Sequence, residues 1–265
     1  MRFDRLSNCL VSLATVASAV VLLPVPGFAG APVTAQRIDF NEQPAGSTVG
    51  NQYGSQGVLI SVHRRSSGPD IITLFNTGRA GEPDTDLESP YVGGNLAPTG
   101  PGGNILIIPE NNTDRNKDGL IDQPNDEGSR PAGDMHFDFT MPVTAFGFDL
   151  IDVEGPAEYN NSAGFFASFF RDGDLERRVG FGEFVDPKSR WYDPTVRFGN
   201  RTANRIEPIT AADLNIPYFD RVVLSFGGSG GTDNIIFTPV PEPGMVALLG
   251  MAMPMLLARR RRLRH

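Results

Sequence analysis

Nine consecutive residues carry the clearest chemistry in this chain: Asp114-Arg-Asn116-Lys-Asp118-Gly119-Leu120-Ile-Asp122. They follow the D-x-[DN]-x-[DN]-G pattern of a calcium-binding loop. In such a loop, oxygen donors at alternate positions converge on one hard cation and a glycine permits the sharp turn. On that spacing Asp114, Asn116 and Asp118 would bind through side chains and Leu120 through its carbonyl. Asp122 would bind directly or through water. The twelfth position, normally a bidentate acid, is Asn125, so the acid just beyond it, Asp126, is expected to complete the set. Pro124 interrupts the helix that ordinarily follows such a loop. The expected role of Ca2+ is therefore bracing, within a long excursion at 110–133 between two strands. Without metal, the same run would be an Asn/Asp-rich solvated turn.

A second acidic set is Asp84, Asp86, Glu88, Asp149, Asp152 and Glu154. Brought together at strand ends, these would make another calcium site or a sugar-binding rim. Paired carboxylates also serve glycosidases when held at a defined separation, so a carbohydrate-active enzyme (glycosidase or lyase) is the alternative to a non-catalytic module. Gly227-Gly-Ser229-Gly-Gly231 fits G-x-S-x-G, but a nucleophile elbow must turn into a helix. Here the next run, Asn234–Phe237, reads as a strand, and only His63 and His136 could act as base. A glycine loop between final strands is the better reading. Trp191, Tyr192, Tyr159 and Phe198 fall in or near loops, where aromatic faces can stack on sugar rings. Arg171, Arg177, Arg178, Arg190, Arg197, Arg201 and Arg205 would pair with acids or meet anionic polysaccharide through bidentate bonds.

The elements that must position these residues are strands. Between 32 and 239 no stretch sustains helical periodicity for three turns, while strand-like runs recur between Gly, Pro, Asn and Asp. Strands are expected at Ala35–Phe40, Val58–Val62, Ile71–Phe75, Asn104–Pro109, Asp134–Phe139 and Ala145–Ile151. Others follow at Phe165–Phe170, Arg177–Phe184, Arg205–Ile209, Phe219–Phe226 and Asn234–Phe237. Met135-His-Phe-Asp-Phe139 and Phe146-Gly-Phe-Asp-Leu150 alternate, with one face for a core and one for water. Arg171-Asp-Gly-Asp174 is a hairpin turn signal. Thr210–Asn215, after Pro208, is the only helix candidate. Eighteen Phe against one Trp suit a sheet core. The expected fold is all-β, an antiparallel β-sandwich or jelly roll.

The 265 residues include 30 Gly and 22 Pro, with a net charge of -8. That average hides unlike parts. Residues 31–238 hold 16 Lys+Arg against 29 Asp+Glu, a balance of -13, while Arg259, Arg260, Arg261, Arg262 and Arg264 crowd the end. An acidic body argues against a nucleic-acid partner. The single cysteine, Cys9, excludes a disulfide scaffold and a cysteine-ligated metal. Arg2 and Arg5 precede the apolar run Leu10–Leu23 and the small residues Ala29-Gly-Ala31, as in a secretory signal peptide over 1–29.

The tail reads Val240-Pro-Glu-Pro243, then the apolar Gly244–Ala258, then Arg259-Arg-Arg-Arg-Leu-Arg264. As helix, the apolar part spans about 23 Å, short of the ~30 Å hydrocarbon core. The arginines would stay cytoplasmic. This ordered tail at 240–265 closely resembles the PEP-CTERM sorting signal of bacterial envelope proteins. The resemblance implies that the C-terminal apolar helix anchors the chain transiently in the inner membrane. It also implies that Pro241, Glu242 and Pro243 are recognised by an exosortase-type membrane protease. The body segments "RIDFNEQPAGSTVGNQYGSQGVLISV", "PVTAFGFDLIDVEG" and "FDRVVLSFGGSGGTDNIIFTPVPEP" likewise resemble the lectin-like jelly-roll bodies of PEP-CTERM proteins. The expectation is an exported protein of the cell envelope or extracellular matrix, with exopolysaccharide as a candidate partner.

Overall fold

A computed structural model describes residues 34–78, 84–154 and 164–240. The described chain is all-β, without an α-helix, and its strands form one large antiparallel sheet. In chain order these are β1 (Gln36–Ile38), β2 (Thr48–Val49), β3 (Val58–Arg64), β4 (Ile72–Asn76), β5 (Asn104–Ile107) and β6 (Gly133–Ile151). They continue as β7 (Phe166–Arg171), β8 (Asp174–Gly180), β9 (Ala203–Thr210), β10 (Phe219–Phe226) and β11 (Gly231–Pro239).

The 19-residue β6 organises the sheet. Its first half pairs with β3 on one side and β10 on the other, and β7 and β8 extend outward from β10. Its second half pairs with β9 and β11 instead. On its far side β11 takes β5 at Gly231 and Thr232, then β1 at Ile235–Phe237, and β4 and β2 continue outward from β5. Met135, Phe137 and Phe139 point into the core from the first half, and Phe146, Phe148 and Leu150 from the second. The inward positions change from odd to even numbers, so the strand turns a corner between them. Thr140, Met141 and Pro142 are exposed at that corner, where a proline lacking an N–H is tolerated.

Both halves close on one phenylalanine-rich core. Phe146 meets Phe137 at 5.5 Å and Phe139 at 6.0 Å between ring centroids. Phe181, on the short 3-10 turn after β8, reaches Phe148, Phe165 and Phe226. The outer face of the second half is not left to water. Phe75, Leu87, Tyr91, Ile105, Ile107, Ile151 and Ala203 form a second, smaller cluster there, beneath the segment leading from β4 to β5.

The expected hairpin stands between β7 and β8, with Asp172 and Gly173 both at positive φ, as a two-residue turn on twisted strands requires. Three expectations change. The strand expected at Arg177–Phe184 stops at Gly180, and Phe181–Phe184 form a 3-10 turn. The separate strands 134–139 and 145–151 are one strand, because pairing carries the backbone through Val143 and Ala145. Thr210–Asn215 is not a helix. Thr210 ends β9, and a tight turn follows in which Asp213 accepts from the Thr210 hydroxyl at 2.6 Å.

Candidate functional site

The 114–122 loop lies within the excursion between β5 and β6. The base of the excursion is zipped by Glu110 N–H to Asn125 O and Glu127 N–H to Ile108 O, both 2.8 Å. Its far end is hung on the body by Ile121 N–H to Gly46 O at 2.8 Å, with the Ile121 side chain buried. Within the loop, Asp114 organises the turn. One carboxylate oxygen accepts from the N–H groups of Lys117 (2.7 Å) and Asp118 (3.2 Å), and the other from Gly119 at 3.0 Å. Asn116 Oδ1 accepts from Asp118 N–H, Asp118 Oδ1 from Leu120 N–H, and Asp122 Oδ2 from Arg115 N–H. Gly119 sits at φ +86 with open space where a Cβ would be. Backbone donors thus fix the orientation of each carboxyl or amide group at 114, 116, 118 and 122. Asp114 Oδ1 spends both lone pairs on the Lys117 and Asp118 N–H groups, whereas Asp114 Oδ2, Asp118 Oδ1 and Asp122 Oδ2 each keep one for a cation.

Asp126 does not join that loop. It is 4% exposed, and its carboxylate accepts from the Ser229 hydroxyl (2.7 Å) and Gly230 N–H in the turn between β10 and β11. Ser229 Oγ also lies 3.3 Å from Asp152 Oδ2 at the end of β6. Asp152 Oδ1 accepts from Arg201 N–H at 2.7 Å. The Asn200 amide, turned as its neighbours require, donates to Asp152 and to Asp86. The second acidic set therefore divides. Asp84, Asp86 and Asp152 come together, with Asp126 as a member that sequence spacing assigned elsewhere. Burial is the main reason that Asp126 is held well above the usual carboxylate range, reinforced by Asp84. Asp152 is pushed up to about 7, again by burial first and then by Asp84, Glu154 and Asp86, against the opposing bond from Arg201 N–H.

Asp149 belongs to a different network on the outer face of β6. Arg205 grips it with two bonds, at 2.8 and 2.9 Å, and Asn234 Nδ2 adds a third at 2.6 Å. Arg37 in turn donates to Asn234 Oδ1. Directly across the ladder stands Asp233, fully buried, with one oxygen lacking any partner. Burial pushes its carboxyl up to about 9, with Asp149 and Asp39 adding to the shift and the Asn234 N–H and Arg37 opposing it. Asp233 lies one residue before the strand expected at Asn234–Phe237, within the longer β11. Its isolation was not readable in the sequence, because it depends on which residue faces it.

Ser229 has carboxylate neighbours, not an imidazole. His136 lies on β6 between Ser61 and Val223, and His63 lies 4.0 Å from Asp70. Gly227–Gly230 make the connection between β10 and β11, and Gly231 already opens β11. Among the loop aromatics, Trp191 is half-buried on the main core under the Arg190 guanidinium at 4.7 Å. Phe198 packs on Phe181. Tyr192 is 40% exposed beside an open groove. Tyr159 lies outside the described residues. Most of the arginines in the expected cluster have acceptors within the protein: Arg171 pairs with Glu176, Arg177 with Glu183, Arg190 with Asp213 and Arg205 with Asp149, while Arg178 donates to Ser168 Oγ and Arg201 to Pro90 O.

Among the described residues, no three His, Cys, Asp or Glu side chains are grouped to hold a metal by themselves. The 114–122 donor set mixes aspartates with an amide and a carbonyl. No helix among the described residues is long and apolar enough to cross a membrane. Pro241, Glu242, Pro243 and the segments at 1–29 and 244–265 lie outside the described residues. Compared with protein-family models, curated proteins and solved structures, the chain matches none.

Proposed function

We propose that this chain is an exported, non-catalytic protein of the bacterial envelope or extracellular matrix, braced by calcium and binding exopolysaccharide. The observation that carries the proposal is the ordering of the 114–122 loop. Asp114 collects the N–H groups of Lys117, Asp118 and Gly119, which folds the run into a tight turn carrying the oxygen-bearing side chains at 114, 116, 118 and 122 that a hard cation would need. Asp126 is replaced in that role by water or by Asp122 alone, since its carboxylate is committed to Ser229 and Gly230. The body is read as a β-sandwich of jelly-roll type. The ring contacts between the two halves of β6 and the shared core support that reading.

The order of Pro241-Glu-Pro243, an apolar run and terminal arginines supports processing by an exosortase-type protease. Two measurements test the proposal. Calorimetric titration of Ca2+ into the chelator-treated protein should give binding heat that Asp118→Ala abolishes; equal heat in both, or none in either, removes the calcium reading. Intact-mass analysis of the protein from cells with and without an exosortase-type protease should show loss of the arginine tail only in the former. A tail that persists in both removes the sorting reading.

A further inference from the structure

The segment between the 3-10 turn at Phe181–Phe184 and β9 contains no strand, yet it is fixed bond by bond. Lys188 N–H and Ser189 N–H bond to Asp186, Trp191 N–H and Tyr192 N–H to Ser189, and Asp193 N–H to Phe184 O. Asp193 then holds Thr195 through both its N–H and its hydroxyl. Asn204 on β9 is fully buried and clamps the Arg197 main chain on both sides, its Oδ1 accepting from Arg197 N–H and its Nδ2 donating to Arg197 O, each at 2.8 Å. Gly199 N–H closes the segment onto Val153 O at 2.8 Å.

This rigid segment frames an open groove of about 450 Å³, lined by Val185, Tyr192, Pro194, Val196, Arg197 and Phe198. Its lining mixes the apolar side chains of Val185, Pro194, Val196 and Phe198 with a larger share of polar surface, and Tyr192 and Arg197 are its exposed long side chains. Arg197 differs from its neighbours Arg190 and Arg205, which spend their charge on Asp213 and Asp149. Among the described residues the Arg197 guanidinium has no ion pair and no hydrogen bond; only its main chain is engaged. An unspent planar cation lining the same groove as an exposed tyrosine ring matches one ligand chemistry. The apolar face of a pyranose stacks on the ring, and a carboxylate on the same sugar takes two parallel bonds from the guanidinium. A backbone already held in place means that little loop ordering opposes binding.

We infer that the Tyr192–Arg197 groove is a saccharide subsite selective for uronic acids. The inference rests on the exopolysaccharide reading above and gives it a location and a sugar class. Galacturonate tetramer and the neutral galactose tetramer are the probes, titrated calorimetrically into the full-length protein in detergent. The only tryptophan, Trp191, adjoins Tyr192 and gives an independent fluorescence readout. The wild type should prefer the uronate. Arg197→Gln should weaken the uronate about tenfold or more, the ratio set by ~1.5–3 kcal/mol for a hydrogen bond to a charged group, with the neutral sugar unchanged. Tyr192→Ala should weaken both sugars. Both side chains are exposed, and circular dichroism melting curves that match the wild type confirm intact folding.

Uronate binding that ignores both substitutions overturns the subsite, as does Arg197→Gln weakening both sugars equally. Retention on immobilised exopolysaccharide from the host separates this from the broader reading. Retention unchanged in both variants leaves polysaccharide binding standing and moves it elsewhere. No retention of the wild type removes both.

Discussion

Asp149 and Asp233 face each other across the β6–β11 ladder, both fully buried, and only Asp149 has a guanidinium. Asp233 has the Asn234 amide on one oxygen and nothing on the other. A buried carboxylate without a counter-charge costs several kcal/mol, so the group keeps its proton instead. Its carboxyl titrates near 9, against about 3.8 when exposed. A raised carboxyl pKa in the folded state means that the folded chain binds the extra proton. The contribution of Asp233 to stability is therefore complete below about 3.8, falls as pH rises, and levels off beyond about 9. Asp233→Asn stays neutral throughout. Its melting temperature should match the wild type near pH 4 and exceed it by a margin that widens up to pH 9. A margin independent of pH would contradict this account.

Ser229 matters in a related way. Its hydroxyl serves Asp126 and lies near Asp152, two buried carboxyls with raised pKa values. Ser229→Ala removes that hydroxyl and leaves Asp126 with the Gly230 N–H alone from the turn. The expected cost is ~1–3 kcal/mol, as for other buried polar groups stripped of a partner. Urea denaturation should show that loss as a lower midpoint; an unchanged midpoint would mean that the Gly230 N–H alone satisfies Asp126.

The attachment of the 114–122 loop to the body is also open to test. Gly46 sits at φ +83, and a Cβ there would lie 2.6 Å from the Ile121 carbonyl oxygen. Gly46→Ala should push the loop off its anchor while leaving the side-chain donors at 114, 116, 118 and 122 unaltered. Trypsin then reaches Arg115 and Lys117 sooner, read by the mass of the fragments. With calcium present, the wild type should be cut more slowly at both residues. Cleavage that is indifferent to both the substitution and the ion would show that neither the anchor nor calcium holds this loop.

Phe181 joins parts of the core that no local sequence signal links. Its ring meets Phe148 of β6, Phe165, Phe184, Phe198 and Phe226 of β10. Phe181→Ala should cost ~3–5 kcal/mol, seen as a lower urea midpoint with an unchanged slope. A cost below ~1 kcal/mol would mean that the core collapses around the gap.

The strands were legible because alternation is local. Met135-His-Phe-Asp-Phe139 shows its two faces within five residues. The corner in β6 was not, since Met141-Pro142 reads as a break to any local rule. The backbone continues only because β10 and β11, some eighty residues later, carry the pairing past it. Asp126 shows the same limit at the site. Its spacing fits a displaced loop acid, yet its carboxylate belongs to Ser229, 103 residues away. The Asp114 turn was readable because its donors lie within five residues of it.

The path by which residue 240 enters the body has a mechanical consequence. It arrives from β11, whose ladder bonds run to β6 on one flank and to β1 and β5 on the other, and Val240 N–H is itself held by Pro142 O. Antiparallel ladder bonds lie across the strand axis. Tension applied at residue 240 along β11 therefore loads those bonds side by side, in shear, and none can part before its neighbours share the force. A body tethered through this strand would bear drag as one unit, whereas tension applied across the outermost strand β8 would peel it from β7 one bond at a time.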